Sequence, residues 1–352
     1  MKIVSIVGAR PQFIKAAMVA RAMAGRPGCV HELIHTGQHC DDNMSRVFFE
    51  ELDIPEPAHH LGVHGLSHGA MTGRMMEKLE PLLCELRPDW TLVYGDTNST
   101  LAGALVAAKM HLPVAHVEAG LRSFNRQMPE EVNRVLVDHV SDLLLTPTAV
   151  ADENLSREGL PEGRIKRVGD VMQDAALFYG DRADASEILS RLDLESKEFV
   201  LATIHREENT GQDGRLELLI SVLETAADEL PVVWPVHPRL CSRVKSDRLR
   251  LLEPLGYIEM QCLVKHAAVV ITDSGGLQKE AYFHRVPCVT LREETEWVEL
   301  VEGGWNRVAG VGDAESIIEC FKDARQGVAN LESRSLYGTG NAAEQIADVL
   351  LK

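Results

Sequence analysis

Apolar residues in this chain fall into two alternating patterns. Short unbroken runs rich in Val, Ile and Leu read as strands buried on both faces, as in a parallel sheet. Between them lie longer stretches whose apolar positions recur every three or four residues, the spacing of a helix with one buried side. The first half predicts strands at residues 3–7, 32–35, 91–94, 114–117, 143–147 and 166–168, with helices at 11–23, 43–52, about 66–86, 99–110 and 133–140. The pattern restarts in the second half, with strands at 199–203, 232–235, 269–272 and 288–291 and helices such as 216–227 and 276–283. Residues 170–196 are polar and short of strand runs, so the inter-domain passage is expected there. A last helix at 341–351 is too short to be a domain and is expected to pack back on existing structure. This alternation predicts an α/β fold of two doubly wound domains facing a cleft, residues 1–172 and 173–340.

A length of 352 residues accommodates two such domains. The 53 acidic residues outnumber the 36 basic ones, for a formal net charge of -17. That balance excludes a general nucleic-acid or anionic-membrane surface, which needs clustered positive charge. A phosphorylated ligand remains compatible, because a few arginines and helix N-termini suffice to hold it. The N-terminus reads as a strand rather than a signal peptide, since its apolar run is short and Gly8-Ala9-Arg10-Pro11 ends it. No apolar run approaches the roughly 20 residues of a membrane helix. The cysteines at 29, 40, 84, 241, 262, 288 and 320 form no C-x-x-C pair and read as reduced thiols of a cytoplasmic protein. His59, His60, His64 and His68 read as a polar loop, and H-E-x-x-H is absent, so no metal is expected.

Chemistry concentrates at the predicted strand ends. Strand 91–94, helix 99–110 and strand 114–117 form a βαβ unit with a right-handed crossover. Asp96 and Glu118 then emerge at the carboxyl ends of parallel, adjacent strands, the edge where open α/β sheets bind ligands. Glu131 follows behind Pro129. Three carboxylates there suit proton transfer on opposite faces of a substrate. Plainer readings exist: Asp96 or Thr97 as a helix cap, and Glu131 as a first-turn carboxylate favoured by the helix dipole. Glu118, followed by Ala119-Gly120, has no such alternative. In the second half, Ser274-Gly275-Gly276 joins a strand to a helix start, where glycines let a phosphate approach free N–H groups. Glu280, one turn on, is placed to accept from ribose hydroxyls. His205-Arg206 and His237-Pro238-Arg239 add cations at neighbouring strand ends, as Arg10 and Lys15 do after the first strand. Neither G-x-G-x-x-G nor a P-loop pattern is present, which argues against bound NAD.

Taken in order, Gly8-Ala9-Arg10-Pro11, Thr36-Gly37-Gln38-His39, Tyr94-Gly95-Asp96-Thr97, His116-Val117-Glu118-Ala119-Gly120-Leu121-Arg122, Pro129-Glu130-Glu131, His205-Arg206, Ser274-Gly275-Gly276 and the stretch 292–296 carry a resemblance. Over nearly its whole length the chain resembles the non-hydrolysing UDP-N-acetylglucosamine 2-epimerase family. The resemblance implies two Rossmann-like domains of the glycosyltransferase-B type, with the C-terminal helix (341–352) returning to the first domain. It further implies a cytoplasmic homodimer acting on a UDP-sugar, with no metal, NAD or other cofactor. By position it implies Asp96, Glu118 and Glu131 as catalytic carboxylates, His205 and Arg10 on the diphosphate, and Lys15 near the reacting sugar. Ser274, Gly275, Gly276 and Glu280 would hold the nucleotide.

Where the wider family commonly has Thr-Glu-Arg-Pro-Glu, this chain has Thr295-Glu296-Trp297-Val298-Glu299. Ser123-Phe124-Asn125, Met71-Thr72-Gly73-Arg74-Met75 and the residues from Ala9 to Lys15 are more similar to the branch acting on UDP-2,3-diacetamido-2,3-dideoxyglucuronate. Trp297 would then offer an apolar face to the extra acetamido group. Arg122, Arg126 or Arg292 would supply a cation for the C6 carboxylate. Asp41, close behind Gln38-His39, sets negative charge against a second, activating UDP-sugar.

The chemistry of such a reaction explains the residue types. C2 of an acetamido sugar is not acidified by a neighbouring carbonyl, and its nitrogen substituent makes direct oxidation unattractive. Departure of UDP from C1 acidifies the C2 proton and gives a glycal, to which UDP re-adds. The protein must stabilise the leaving diphosphate and place base and acid on opposite faces. A glycosyltransferase of the same fold would share the nucleotide site but need an acceptor groove and usually one base. A UDP-sugar sensor would bind without turnover.

Overall fold

A computed structural model of the chain describes residues 1–38, 51–183, 187–211, 213–327 and 335–352. Met1–Ala175 with Ser335–Lys352 forms one unit, and Ala176–Arg334 the other. The chain divides at 175/176 and 334/335, against the expected 172/173 and 340/341.

In the first unit, β1 (Lys2–Val7), β2 (Val30–His35), β3 (His59–His60), β4 (Trp90–Tyr94), β5 (Val114–Val117), β6 (Leu143–Thr146) and β7 (Ile165–Arg167) form one parallel sheet. Its order is β3-β2-β1-β4-β5-β6-β7. The order reverses between β1 and β4, the topological switch point where doubly wound sheets open a ligand crevice. The central strands read as apolar runs because helices cover both faces: Ile3, Val4, Ile6 and Val7 are all fully buried. Helix Asn98–Lys109 is the crossover from β4 to β5, and Tyr94 lies opposite Val117 in their parallel register. The residues following those two strands therefore leave the sheet side by side.

The second unit repeats the design with β8 (Val200–Thr203), β9 (Val232–Pro235), β10 (Arg250–Leu252), β11 (Val269–Thr272), β12 (Cys288–Thr290) and β13 (Asn306–Val308). These run in the order β10-β9-β8-β11-β12-β13. The switch point falls between β8 and β11, so the turns after Thr203 and Thr272 share one edge.

Three strands carry no apolar run and were not expected: β3, β10 and β13. All are edge strands, where one flank lacks a partner and polar residues such as His59, Arg250 and Arg307 are tolerated. His59 and His60 thus belong to a short strand rather than a polar loop, and the His60 ring stacks on His35 at 4.2 Å. The expected passage at 170–196 is also helical, with helices Val171–Ala183 and Ile188–Arg191. Met172, Ala175, Ala176 and Tyr179 form its buried stripe, hidden in the sequence by intervening polar residues. Most of the helix expected at 43–52 lies outside the described residues, as do His39, Cys40 and Asp41. The other six cysteines are free thiols. Among the described residues no helix is long and apolar enough to cross a membrane.

The closing helix, Ala342–Leu350, packs on helix Arg10–Met23 of the same unit. Its first turn is held by Asp174, whose carboxylate accepts from Ala342 N at 3.1 Å and Ala343 N at 2.7 Å. Burial nevertheless raises this carboxyl to about 6, the backbone bonds offsetting only part of the desolvation. A folded-state value above the ordinary one contributes stability at low pH that is lost as pH rises through about 6. The expected outcome is that the parent loses about 2 kcal/mol relative to Asp174→Asn between pH 4 and pH 7. Urea titrations at several pH values check this, and a difference between the two proteins that is flat with pH contradicts it.

Candidate active site

Gly95 ends β4 in the left-handed region, at φ 63°, and turns the chain so that Asp96 leaves the sheet edge. A side chain at residue 95 would be strained there and would also approach Glu118 Oε2 within 3.4 Å. The helix that follows is capped by Thr97, whose hydroxyl accepts from Thr100 N. The capping alternative for Asp96 is thereby taken up by its neighbour. Gln12 braces the turn from the first helix. Its amide nitrogen donates to Tyr94 O at 2.7 Å and reaches the Thr97 and Thr100 hydroxyls, while its oxygen accepts from Gly8 N and Ala9 N. The turns after β1 and β4 are thus stapled across the switch point.

Glu118 leaves β5 with φ at 73°, a left-handed conformation that costs a non-glycine residue about 1 kcal/mol or more. Glu118 N and Ala119 N both donate to Leu145 O on the neighbouring strand, which fixes the kink. The Glu118 carboxylate pairs with Lys15 from helix Arg10–Met23, both side chains being largely buried. Arg10 opens that same helix, at the end of β1.

Glu131 sits in the first turn of helix Pro129–Val140 and is 1% exposed. Its carboxylate accepts from Ser123 N at 2.9 Å, Phe124 N at 3.0 Å and the Ser123 hydroxyl at 3.1 Å. Arg134, one turn on, donates to Glu131 at 2.9 Å and to Asp96 with its other amino group. Burial works against the Arg134 charge, but Asp96, Glu131 and Glu118 together outweigh it and raise its pKa. Asp96 and Glu131 therefore share one guanidinium, while Glu118 is paired with Lys15. Asn133 adds a bond to Asp96 O at 2.8 Å.

Beneath them lies a fully buried set. His116 bonds Asp138 at 2.6 Å with one ring nitrogen and Gly95 O at 2.7 Å with the other. Asp138 also accepts from Gly120 N and Arg122. Burial opposes the Asp138 charge, yet His116 and Arg122 hold its carboxyl below the usual range. One carboxylate so ties the turn after β4 to the turn after β5.

In the second unit the anchor is Asp273, fully buried after β11. It accepts from His205 N, Arg206 N and Asn209, and pairs with the His205 ring at 3.1 Å. Burial opposes its charge, and His205 with those donors holds it below the usual carboxylate range. Ser274 caps helix Gly275–Phe283, its hydroxyl accepting from Leu277 N, so Gly275 and Gly276 supply the first helical N–H groups. Glu280 lies buried one turn further on.

The sugar-specificity candidates separate clearly. Arg122 is buried and forked onto Glu158 and Asp138. Arg292 is buried against Glu296 at 2.8 Å. Arg126 is exposed. Trp297 is buried, donates its indole N–H to Gly275 O at 2.9 Å and carries Lys279 4.1 Å above its ring. It supports the glycine turn from within rather than presenting an open apolar face. Among the described residues no group of three or more His, Cys, Asp or Glu is placed to hold a metal.

Arg134, Asp138, Asp273 and Gln12 were not singled out from the sequence as site residues. For two of them a signal existed: Glu131, Arg134 and Asp138 fall at i, i+3 and i+7, a polar stripe on one helix face.

Residues 21–351 match the family described as UDP-N-acetylglucosamine 2-epimerase. The chain is 48% identical, over the full length of both, to UDP-2,3-diacetamido-2,3-dideoxy-D-glucuronate 2-epimerase of Pseudomonas aeruginosa. It is 38% identical to Methanocaldococcus jannaschii UDP-GlcNAc 2-epimerase, whose crystal structure in complex with UDP-GlcNAc and UDP superposes with a TM-score of 0.90 over 100% of this chain and 99% of that one. The Neisseria meningitidis enzyme bound to UDP-GlcNAc gives 0.89 at 29% identity, covering 100% of both chains. Matched in family, sequence and two-sheet fold, the chain belongs to the UDP-N-acetylglucosamine 2-epimerase family of non-hydrolysing UDP-sugar 2-epimerases.

Proposed function

We propose that the chain inverts C2 of UDP-2,3-diacetamido-2,3-dideoxyglucuronate, from gluco to manno, through elimination and re-addition of UDP. The observation that carries the mechanism is the pair of carboxylates at adjacent strand ends, Asp96 and Glu118, each backed by its own cation. A base takes the C2 proton as the C1–O bond breaks, leaving a 2-acetamidoglycal and UDP. Protonation of C2 from the opposite face and return of the UDP oxygen to C1 give the epimer, with no net change in atoms. Asp96 and Glu118 handle the protons, with Lys15 beside Glu118 near the reacting sugar. Glu131, saturated by the 123–124 backbone and Arg134, contributes by holding Asp96 and the loop in place. Within the second unit, His205 and the helix start at Ser274-Gly275-Gly276 stabilise the departing diphosphate charge. Glu280 accepts from the ribose.

The substrate reading is supported by the 48% full-length identity to the diacetamido-glucuronate enzyme, while a protein described as a UDP-N-acetylglucosamine 2-epimerase homolog matches at 47%. Plain UDP-N-acetylglucosamine is the alternative. Measuring kcat/KM for both UDP-sugars, with C2 configuration read by NMR and no acceptor present, decides between them. The diacetamido uronate is expected to give the higher value. A higher value for UDP-N-acetylglucosamine would defeat the substrate reading and leave the epimerase standing. Asp96→Asn, Glu118→Gln and Glu131→Gln are each expected to slow turnover about 100-fold or more with the fold intact, the scale of a lost or misplaced acid or base. Near-parental rates in all three would sink the site assignment.

A further inference from the structure

Between Glu118 and helix Pro129–Val140 the chain forms a short loop whose shape is set from below. Glu131 accepts both Ser123 N and Phe124 N, the Ser123 hydroxyl also reaches Asn125 N, and Asn125 accepts from Gln127 N at 3.1 Å. Phe124 is held at φ 58° and is 72% exposed, more than any other large hydrophobic side chain among the described residues. A bulky, exposed residue in the left-handed region, its backbone N–H held by a buried carboxylate, is a conformation that folding alone does not favour. Two residues on, Arg126 is exposed as well. On a chain of net charge -17, an anionic sugar needs a local cation, and the charges of Arg122 and Arg292 are already matched by buried or half-buried carboxylates. The loop is also fixed relative to the reacting groups, because its anchor Glu131 shares Arg134 with Asp96.

We infer that this loop reads the sugar: the Phe124 ring receives the methyl of a C3 acetamido group, and the Arg126 guanidinium receives a C6 carboxylate. The assignment rests on the substrate reading above and names the residues that enforce it. Its test is the ratio of kcat/KM for UDP-2,3-diacetamido-2,3-dideoxyglucuronate over UDP-N-acetylglucosamine in the parent, Arg126→Gln, Arg126→Lys and Phe124→Ala. Arg126→Gln is expected to lower the ratio about 10- to 100-fold, the loss of one charge-assisted contact, and Arg126→Lys to restore part of it. Phe124→Ala is expected to lower it roughly 10-fold, the scale of one apolar group in a specificity pocket. A parent ratio above one that Arg126→Gln and Phe124→Ala leave unchanged overturns the loop assignment alone. A parent ratio below one overturns the substrate reading, and the loop assignment with it.

Discussion

Arg134 holds the turn after β4 to the loop after β5. Its guanidinium reaches Asp96 with one amino group and Glu131 with the other, in a place where a lone buried charge would cost several kcal/mol. Each partner is further secured. Asn133 bonds the Asp96 backbone, and three donors from the 123–124 segment saturate Glu131. Below this layer Asp138 repeats the device through His116 and Arg122, linking Gly95 O to Gly120 N. The carboxylates at these strand ends are thus set by ion pairs backed by further hydrogen bonds, the condition under which buried charges are tolerable.

The same principle operates independently in the second unit. Asp273 is fully buried, yet every donor it meets belongs to the segment that carries His205. The exposed imidazole is held by a buried carboxylate, while Trp297 and Lys279 support the glycine turn at the start of helix Gly275–Phe283. In both units the candidate site residues sit at the switch point of a parallel sheet, and the residues that orient them sit one layer down.

How much of this the sequence disclosed follows from where each residue lies. Central strands were readable because they are buried on both faces, whereas β3, β10 and β13 are edges with mixed composition. Asp96, Glu118 and Ser274-Gly275-Gly276 were readable because they end apolar runs, and strand ends converge by topology alone. Asp273 is not readable, since its partner lies 68 positions away, and Arg134 shows only its helix-face spacing to Glu131, its other partner Asp96 being 38 positions away. Trp297 was read as a specificity surface because its identity departs from the family pattern. Its partner, Gly275 O, is visible only in three dimensions. Glu131 shows the two readings merging: it is a first-turn carboxylate, as the helix-dipole argument has it, and also the anchor of the site loop.

In the proposed reaction C2 loses its proton and regains one from a different acid as UDP departs and returns. Turnover in heavy water with a UDP-2-acetamido sugar tests it most directly, reading C2 of the product by NMR and mass. Elimination and re-addition of UDP is expected to leave one solvent deuterium at C2 of every epimerised molecule. Epimerised product carrying no deuterium at C2 would contradict it and point to internal transfer of the original hydrogen.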